Sequence, residues 1–342
     1  MTESSSRGGP PGVAPSPIPT TTATPQETLL DEQEVLLDTG LAGEADLVFE
    51  SGLELKARSQ WWYVRNRFFR HRLAMGSAIV LILIFAAGIF AKELAPYGRD
   101  EILTTTGAIG PTFHGWHIFG TDELGRDYFS RTLHGIQTTE KISLLVALIS
   151  TVIGVFVGAL AGYFGGWIDN LLMRITDLFL VVPAIAVLLV ASKYLGHGSP
   201  VRIAFILGLL FWTVIARIVR GSFLSLKEKE YVEAAKASGS GDFRIMFRHI
   251  LPNTIGPIVV SATLLTGTAI LTEAVISFLG FGIQVPEASL GNLINSGQSS
   301  GLGNWWLVTF PGLTIVLIIM CINFIGDGLR DALDPTQRRV RA

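Results

Sequence analysis

This sequence has few charged residues and a single cysteine. Only 16% of its 342 residues are charged, whereas an average soluble domain has about 25%. The single cysteine, Cys321, lies inside an apolar run. It excludes an intramolecular disulfide and a cysteine-based metal cluster, and we interpret it as a buried thiol. The shortage of charge indicates that much of the chain is not exposed to water.

Several motifs of enzymes and of secreted proteins are also absent. No G-x-x-x-x-G-K-[ST] phosphate loop occurs, and the glycines at 239 and 241 lack the lysine and the strand that such a loop requires. No H-E-x-x-H motif occurs either. His114 and His117 are a close pair, but we interpret them as an ordinary loop pair rather than a metal site. The N-terminus lacks the basic start, apolar core and cleavage site of a signal peptide. We therefore expect no catalytic residue, no metal and no cofactor, and a chain that is not an enzyme.

Apolar runs of roughly 20 residues account for the missing charge. That length crosses the hydrocarbon core of a bilayer as a helix. We predict an all-α polytopic membrane protein whose membrane domain, residues 73–335, contains six spans. The spans are about 73–92, 141–164, 173–195, 201–222, 253–280 and 307–329.

The two flanking regions differ from this domain. Residues 1–55 are rich in Pro, Ser and Thr, hold ten acids against one base, and are predicted to be a disordered tail. Residues 56–72 mix six Lys and Arg with aromatic residues. A nucleic-acid patch would share this composition, but the position directly before a span favours an amphipathic segment at the membrane surface, in contact with lipid. No nucleic-acid partner is expected.

Lysine and arginine orient the spans, because they are enriched in cytoplasmic loops. Positive charges precede the first span, follow the fourth, and recur in the C-terminal tail, residues 336–342. The loop at 281–306 holds none. Six spans with both termini in the cytoplasm satisfy this pattern, and they place the polar stretch 223–252 in the cytoplasm.

That stretch predicts two short helices separated by a glycine turn. Residues 226–238 are good helix formers, and Gly239 is expected to end the first helix. Asp242 is a plausible N-cap for the second. Each helix has one distinctive face: small residues on the first, including Ala234, Ala235 and Ser238, and an apolar stripe on the second, Phe243, Met246, Phe247 and Ile250. From the pattern alone, the stretch either caps its own bundle or docks a cytoplasmic partner.

A resemblance favours docking. The stretch resembles the EAA loop of ABC importer permeases, whose pattern is E-A-A, three residues, G, nine residues, I-x-L-P. His249 stands where the general pattern has Ile, a departure that is common in the peptide/nickel branch. The matching residues are Glu233, Ala234, Ala235, Gly239, Leu251 and Pro252.

Four further segments resemble the C-type permease subunit of that branch. They are FGTDELGRDYFSR (119–131), YFGGWIDNLLMRITDLFLVVP (163–183), SFLGFGIQVPEASLGNLI (277–294) and NWWLVTFPGLTIVLIIMCINFIGDGLRDALDP (304–335). The resemblance covers about residues 60–338 and leaves the tail of residues 1–55 outside it.

The resemblance implies a type I ABC importer permease fold in a bacterial cell membrane, importing di- or oligopeptides. It also implies a homologous B-type permease subunit as a heterodimer partner, two ATPase subunits and an extracytoplasmic substrate-binding protein. In such importers the EAA loop, here 223–252, fits a cleft on the ATPase, so the matching residues would carry that contact. The same architecture importing nickel or another small solute stays open.

Two alternative functions belong to other classes of protein: an ATP-independent secondary transporter or channel, and a polytopic membrane enzyme. The first would show internal repeats and broken helices in matched halves, and no clear repeat is seen. The second would need a catalytic constellation within the spans.

The sequence also predicts roles for individual residues in and next to the spans. Asp177 and Glu273 are candidate pathway or gate groups, because charge inside a membrane is costly. Structural alternatives are a pair of Asp177 with Arg174 along the helix, and interhelical hydrogen bonds to Glu273. Pro183 should kink the third span. Further expectations concern close helix packing at Gly154, Gly158 and Gly162, and anchoring at the outer interface by Trp305 and Trp306.

Overall fold

The protein is described by a computed structural model that covers residues 60–103, 107–195, 198–284 and 286–333. The predicted tails, 1–55 and 336–342, lie outside these residues, as do positions 56–59 of the predicted surface segment. The described residues are helical apart from loops and two isolated β-bridges, Ile102 with Arg126 and Thr121 with Asp127. The all-α fold class is therefore confirmed.

Twelve helices are used below, numbered along the described chain. They are α1 (Gln60–Arg70), α2 (Arg72–Ile89), α3 (Ala91–Leu94), α4 (Tyr128–Phe164), α5 (Gly166–Val181), α6 (Ala184–Leu195), α7 (Pro200–Leu226), α8 (Glu230–Ala237), α9 (Asp242–Arg244), α10 (Leu251–Phe278), α11 (Leu290–Ser299) and α12 (Trp306–Leu333). A π-helical stretch, Ile245–Ile250, joins α9 to α10.

Five helical segments are long and apolar enough to cross a membrane on their own: α2, α4, α7, α12, and the continuous segment from Asp242 through α10. A sixth candidate is the pair α5 and α6, which is bent by 77°. The break falls at Val182, which is extended (φ −74°, ψ 120°), immediately before Pro183. Proline disfavours helical geometry in the residue before it, so the predicted kink is confirmed at this position.

Helix α4 is the central element of the bundle and packs most extensively on α7. Gly154, Gly158 and Gly162 form the contact surface. A Cβ at Gly154 would lie 2.8 Å from Ile215 Cβ, and one at Gly158 would lie 2.8 Å from Val219 Cβ. Only glycine lets the two backbones approach this closely, and the expected small-residue packing face is confirmed.

Helix α4 begins earlier than the predicted span, which starts at residue 141. Asp127 is its N-cap, and the carboxylate accepts hydrogen bonds from Ser130 N and Ser130 Oγ, both at 2.7 Å. The first three turns carry polar side chains that the sequence placed in a loop. They are nevertheless buried, among them Arg131 and Glu140. Neighbouring helices cover this end of α4, so polarity did not mark the end of the helix.

The loop predicted at 281–306 contains helix α11. Ser289 is its N-cap, accepting from Asn292 N at 3.3 Å, and Leu290 and Leu293 are fully buried. One of the two tryptophans expected as anchors is also internal. Trp306 is 8% exposed, and its indole Nε1 donates to Thr121 O at 3.3 Å, whereas Trp305 is 56% exposed. Residues of the segment 107–121 pack against Trp306 and remove it from the surface.

Candidate functional site

The helical loop, residues 223–252, projects from the end of the bundle where α4 and α7 end. Helix α8 ends in a Schellman motif: Gly239 N donates to Lys236 O at 2.9 Å, and Ser240 N donates to Ala235 O at 3.1 Å. Gly239 supplies the left-handed conformation that this motif needs, with φ +75°. The predicted glycine stop is thus confirmed, and the turn direction between the two short helices is fixed by hydrogen bonds.

Apolar residues on the inner side attach the helical loop to the bundle. Val232, Ile245, Met246 and Ile250 are each at most 1% exposed. They belong to a cluster with Val219 and Phe223 of α7 and Ile258 of α10. On the open side, Tyr163 Oη of α4 donates to Asp242 Oδ1 at 2.6 Å. The helical loop is therefore packed on three spanning helices, α4, α7 and α10.

Two predictions for this region, the N-cap and the apolar stripe, were wrong in detail. The N-cap of α9 is Gly241, and Asp242 is the first helical residue. The stripe of Phe243, Met246, Phe247 and Ile250 does not stay on one face. Met246 and Ile250 are buried, whereas Phe243 and Phe247 are 62% and 45% exposed with parallel rings 6.5 Å apart. The wider π-helical turn at Ile245–Ile250 separates the two pairs.

The residues that match the EAA pattern fall into an exposed set and a packed set. Glu233, Ala234 and Gly239 are exposed, and Ala235 is half-buried against the apolar cluster. Leu251 packs on that cluster as well, and Pro252 is exposed near the start of α10, where a missing N–H is tolerated. The arrangement is a rigid knob whose outer face is small, with exposed aromatic rings beside it.

Glu273 lies inside the bundle and not on an open face. Its side chain is 1% exposed. Ser277 Oγ donates to Oε1 at 2.7 Å and Thr139 Oγ1 of α4 donates to Oε2 at 3.3 Å. Ser277 Oγ in turn accepts from Ile283 N at 3.0 Å. The carboxylate thus joins α10 to α4 and, through Ser277, to the loop before α11, which is the structural alternative anticipated above.

Asp177 occupies a different environment. Its carboxylate accepts from Arg217 Nη2 of α7 at 2.5 Å, so the expected pair with Arg174 is wrong. The two side chains remain 47% and 53% exposed. A second ion pair between the same helices joins Asp169 to Arg220 by two hydrogen bonds of 2.5 and 2.6 Å. The rule that flagged Asp177, a charge within a span, applies equally to Arg217, which lies within the predicted span 201–222.

A cavity of about 360 Å³ opens between α5, α7 and α10, and neither Asp177 nor Arg217 is among the residues that line it. Its walls are mostly apolar. The lining includes Phe179, Val182, Val214, Ile218, Ser261 and Thr268. We call this cavity the α5–α7–α10 groove. No group of three or more potential metal ligands occurs in the described residues.

This geometry defines a class of protein: a polytopic helical membrane protein with a rigid knob between two of its spanning helices. Residues 154–339 match the family of binding-protein-dependent transport system inner membrane components. Residues 59–107 match the N-terminal TM domain of oligopeptide transport permease C. The chain belongs to this family of permease components.

Named relatives agree with the family. The chain is 40% identical over 279 residues to the oligopeptide transport system permease protein OppC of Mycobacterium tuberculosis strain H37Rv, covering 81% of this chain and 95% of the relative. It is 40% identical over 275 residues to the dipeptide transport system permease protein DppC of Bacillus subtilis, covering 80% and 85%. A solved structure of the MetNI methionine ABC transporter matches 58% of this chain and 94% of its own at 24% identity, with a TM-score of 0.47.

Proposed function

We propose that this protein is a permease subunit of an ATP-driven ABC importer for di- or oligopeptides. In this proposal it forms half of the translocation path and couples to ATPase subunits through the helical loop. The observation that carries the coupling role is the loop itself: an exposed, small outer face on a base buried against α4, α7 and α10. The peptide cargo is supported by relatives named as oligopeptide and dipeptide permeases.

Coupling requires rigidity, and the contacts of the helical loop supply it. A soluble ATPase that closes on ATP must push on spans that hold no nucleotide. Because Val232 and Met246 are buried beneath α8 and its turn, a force on the outer face reaches the spanning helices. Under this proposal Glu233, Ala234, Ala235 and Gly239 form the ATPase contact, and Leu251 and Pro252 set the angle at which α10 begins.

The same proposal names the partner proteins and the orientation of the chain in the membrane. The B-type permease subunit supplies the other half of the path, two ATPases bind the helical loops, and an extracytoplasmic binding protein delivers peptide. The chain lies in a bacterial cell membrane with both termini in the cytoplasm. Helix α1, with Phe68 and Phe69 beside Arg70, lies at the cytoplasmic membrane surface.

The coupling role predicts that Gly239→Glu abolishes peptide uptake without removing the protein from the membrane. The substituted residue carries a bulky charge onto the docking face and must adopt φ +75°, which side chains disfavour. Gly241→Glu is the matched control, because that glycine has φ −69° and, like Gly239, open space where a Cβ would lie. Normal uptake by Gly239→Glu would exclude the docking role.

The assay is uptake of a labelled dipeptide, a labelled pentapeptide and nickel in cells lacking the gene, with each variant restored on a plasmid. Recovery of peptide uptake alone supports the proposed cargo. Recovery of nickel uptake alone keeps the architecture and replaces the cargo. Immunoblotting of the membrane fraction separates a coupling defect from a failure of insertion.

A further inference from the structure

A second cavity, of about 270 Å³, opens at the end of the bundle remote from the helical loop. Helix α4 ends at the helical loop, and this cavity lies beside its first turns, between α4, α3 and the segment that follows α3. Tyr97 N of that segment donates to Ser130 Oγ of α4 at 3.4 Å, which joins the segment to α4. The polar residues that line the cavity are Lys92, Tyr97, Arg99, Glu101 and His134. We call it the α3–α4 cavity.

Three acidic side chains around this cavity already have partners. Arg99 donates to Asp100 Oδ2 at 3.1 Å and to Glu287 Oε2 at 2.9 Å. Glu101 Oε2 accepts from Gly98 N at 2.9 Å. The charge of Arg99 is therefore balanced within the protein, and none of these three acids pairs with a lysine.

Two groups that line the cavity are open to a further partner. Lys92 is exposed and makes no hydrogen bond or ion pair with the described residues. Glu93 is next to it in sequence, but adjacent residues of a helix do not face each other. His134 Nδ1 lies 2.9 Å from Ser130 O and donates to it, which leaves Nε2 with a lone pair that can accept. The cavity thus offers one uncompensated cation and one acceptor.

The cavity continues into an open face of α4. His134, Gln137 and Lys141 follow one another on this face, at steps of three and four residues. Lys141 is exposed, has no ion pair among the described residues, and lies about 10 Å along the helix from His134. Side chains lean toward the N-terminus of their helix, so the long stem of Lys141 carries its ammonium back toward the cavity. A second uncompensated cation therefore lies near the mouth of the cavity.

Beyond Lys141 the same face of α4 is apolar. Its side chains at helical spacing are each about half exposed: Leu144, Leu148, Val152 and Phe156. Half of the hydrocarbon core of a bilayer is about 15 Å thick, which is about ten residues of helix. Counted from Lys141, where the predicted span begins, Leu144 and Leu148 lie in the leaflet nearer the cavity. From the cavity inward, this surface changes from cations to hydrocarbon, which matches the polarity of an anionic phospholipid.

We propose that the α3–α4 cavity and the adjoining face of α4 bind one anionic phospholipid. Lys92 and Lys141 hold the phosphate, because lysine binds phosphate as a point charge and cations near a membrane surface attract anionic lipid. His134 Nε2 accepts from a hydroxyl of the headgroup, and an acyl chain lies along Leu144 and Leu148. Only the assignment to the extracytoplasmic leaflet rests on the orientation in the proposed function.

The experiment is photo-cross-linking of the assembled transporter in bilayer nanodiscs. The probes are phosphatidylglycerol, which is anionic, and phosphatidylethanolamine, which has no net charge, each with a diazirine on the same acyl chain. Mass spectrometry of peptides measures the cross-linking yield on residues 141–152. Lys92→Gln and Lys141→Gln each remove one cation at the site. Lys193→Gln is the matched control, because Lys193 is an exposed lysine of α6 near the same end of the bundle.

Phosphatidylglycerol should label residues 141–152 in preference to phosphatidylethanolamine. One lysine near a membrane surface changes the preference for anionic lipid about fivefold. Lys92→Gln and Lys141→Gln should therefore each lower the ratio of the two yields about fivefold, whereas Lys193→Gln should leave it unchanged. Equal labelling by the two lipids, or an unchanged ratio in both site variants, would overturn the proposal.

A further arm tests whether the ligand is a lipid. Glycerol 3-phosphate carries the phosphate without acyl chains, and at a concentration equal to that of the probe it should leave the labelling unchanged. Loss of labelling would assign the cavity to a soluble phosphate ester and overturn the lipid. Labelling confined to other helices, or to a partner subunit that covers this face, would also overturn the proposal.

The labelling is independent of the cargo and of coupling, so the two proposals can fail separately. A transporter that takes up no peptide but shows the lysine-dependent labelling would refute the cargo and support the lipid site. Peptide uptake without that labelling would overturn the lipid site alone.

Discussion

At the residue scale, burial decides what an intramembrane acid does. Glu273 and Asp177 are both carboxylates within apolar helices, and the same rule flagged both. Glu273 is fully covered and accepts hydrogen bonds from Ser277 and Thr139. Asp177 is half open and meets Arg217. The first geometry joins α10 to α4 in the interior, and the second joins α5 to α7 at a half-open surface.

The environment of Glu273 predicts that Glu273→Leu destabilises the folded protein, whereas Glu273→Gln has a smaller effect. Leucine leaves the hydroxyls of Ser277 and Thr139 without an acceptor, which costs about 1–3 kcal/mol, while the glutamine carbonyl still accepts. The measurement is the midpoint of thermal unfolding of the purified transporter. Unchanged stability of the leucine variant together with lost uptake would instead assign Glu273 to the path.

At the element scale, the break between α5 and α6 shapes the groove. Val182 and Ala184 stand on either side of Pro183 and both line the cavity. Two glycines with positive φ, Gly165 and Gly166, connect α4 to α5 at the other end. Helix α5 thus lies between two breaks in helical geometry and is held to α7 by two ion pairs.

The break predicts that Pro183→Ala lengthens this segment. Removing the proline lets residue 182 become helical and restores a hydrogen bond. From the helical rise, residues 167 and 194 are about 31 Å apart across a 77° bend and about 40 Å apart in a straight helix.

Spin labels at Trp167→Cys and Tyr194→Cys, both exposed sites, measure this distance in the Cys321→Ser background. Pro257→Ala is the control, because Pro257 lies inside α10. An unchanged distance in Pro183→Ala would show that tertiary packing, and not the proline, imposes the bend.

At the scale of the whole molecule, the number of crossings fixes whether the two termini face the same side of the membrane. Five helical segments can span alone, and α5 with α6 makes a sixth if the bent pair crosses. Six crossings put both termini on one side. Five, with α5 and α6 re-entrant, would put them on opposite sides.

The positive-charge pattern predicts six crossings and cytoplasmic termini. A green fluorescent protein fused before Met1 or after Ala342 should therefore fluoresce in both fusions, because exported copies do not fold into a fluorescent state. An alkaline phosphatase fusion within 298–303 serves as the converse control and should be active. Fluorescence from only one terminal fusion would indicate five crossings.

Local signals in the sequence predicted a good part of this protein. Apolar run length predicted the long apolar helices, the glycines at every fourth position predicted a close packing face on α4, and Pro183 predicted the kink. The turn after α8 followed from Gly239, since glycine readily adopts a left-handed conformation. These features depend on residues within one or two helical turns, so they can be read without knowledge of the fold.

Tertiary structure decided the rest, because burial depends on residues distant in sequence. Polar residues 128–140 extend α4, since α10, α11 and α12 cover them, and Trp306 turns inward to Thr121. Asp177 pairs with Arg217, 40 positions away, and not with its helical neighbour Arg174. The sequence by itself determined a helical permease component whose helical loop turns at a glycine. Only packing determined which charges are enclosed and which remain partly exposed, because solvation depends on all the helices that surround a side chain.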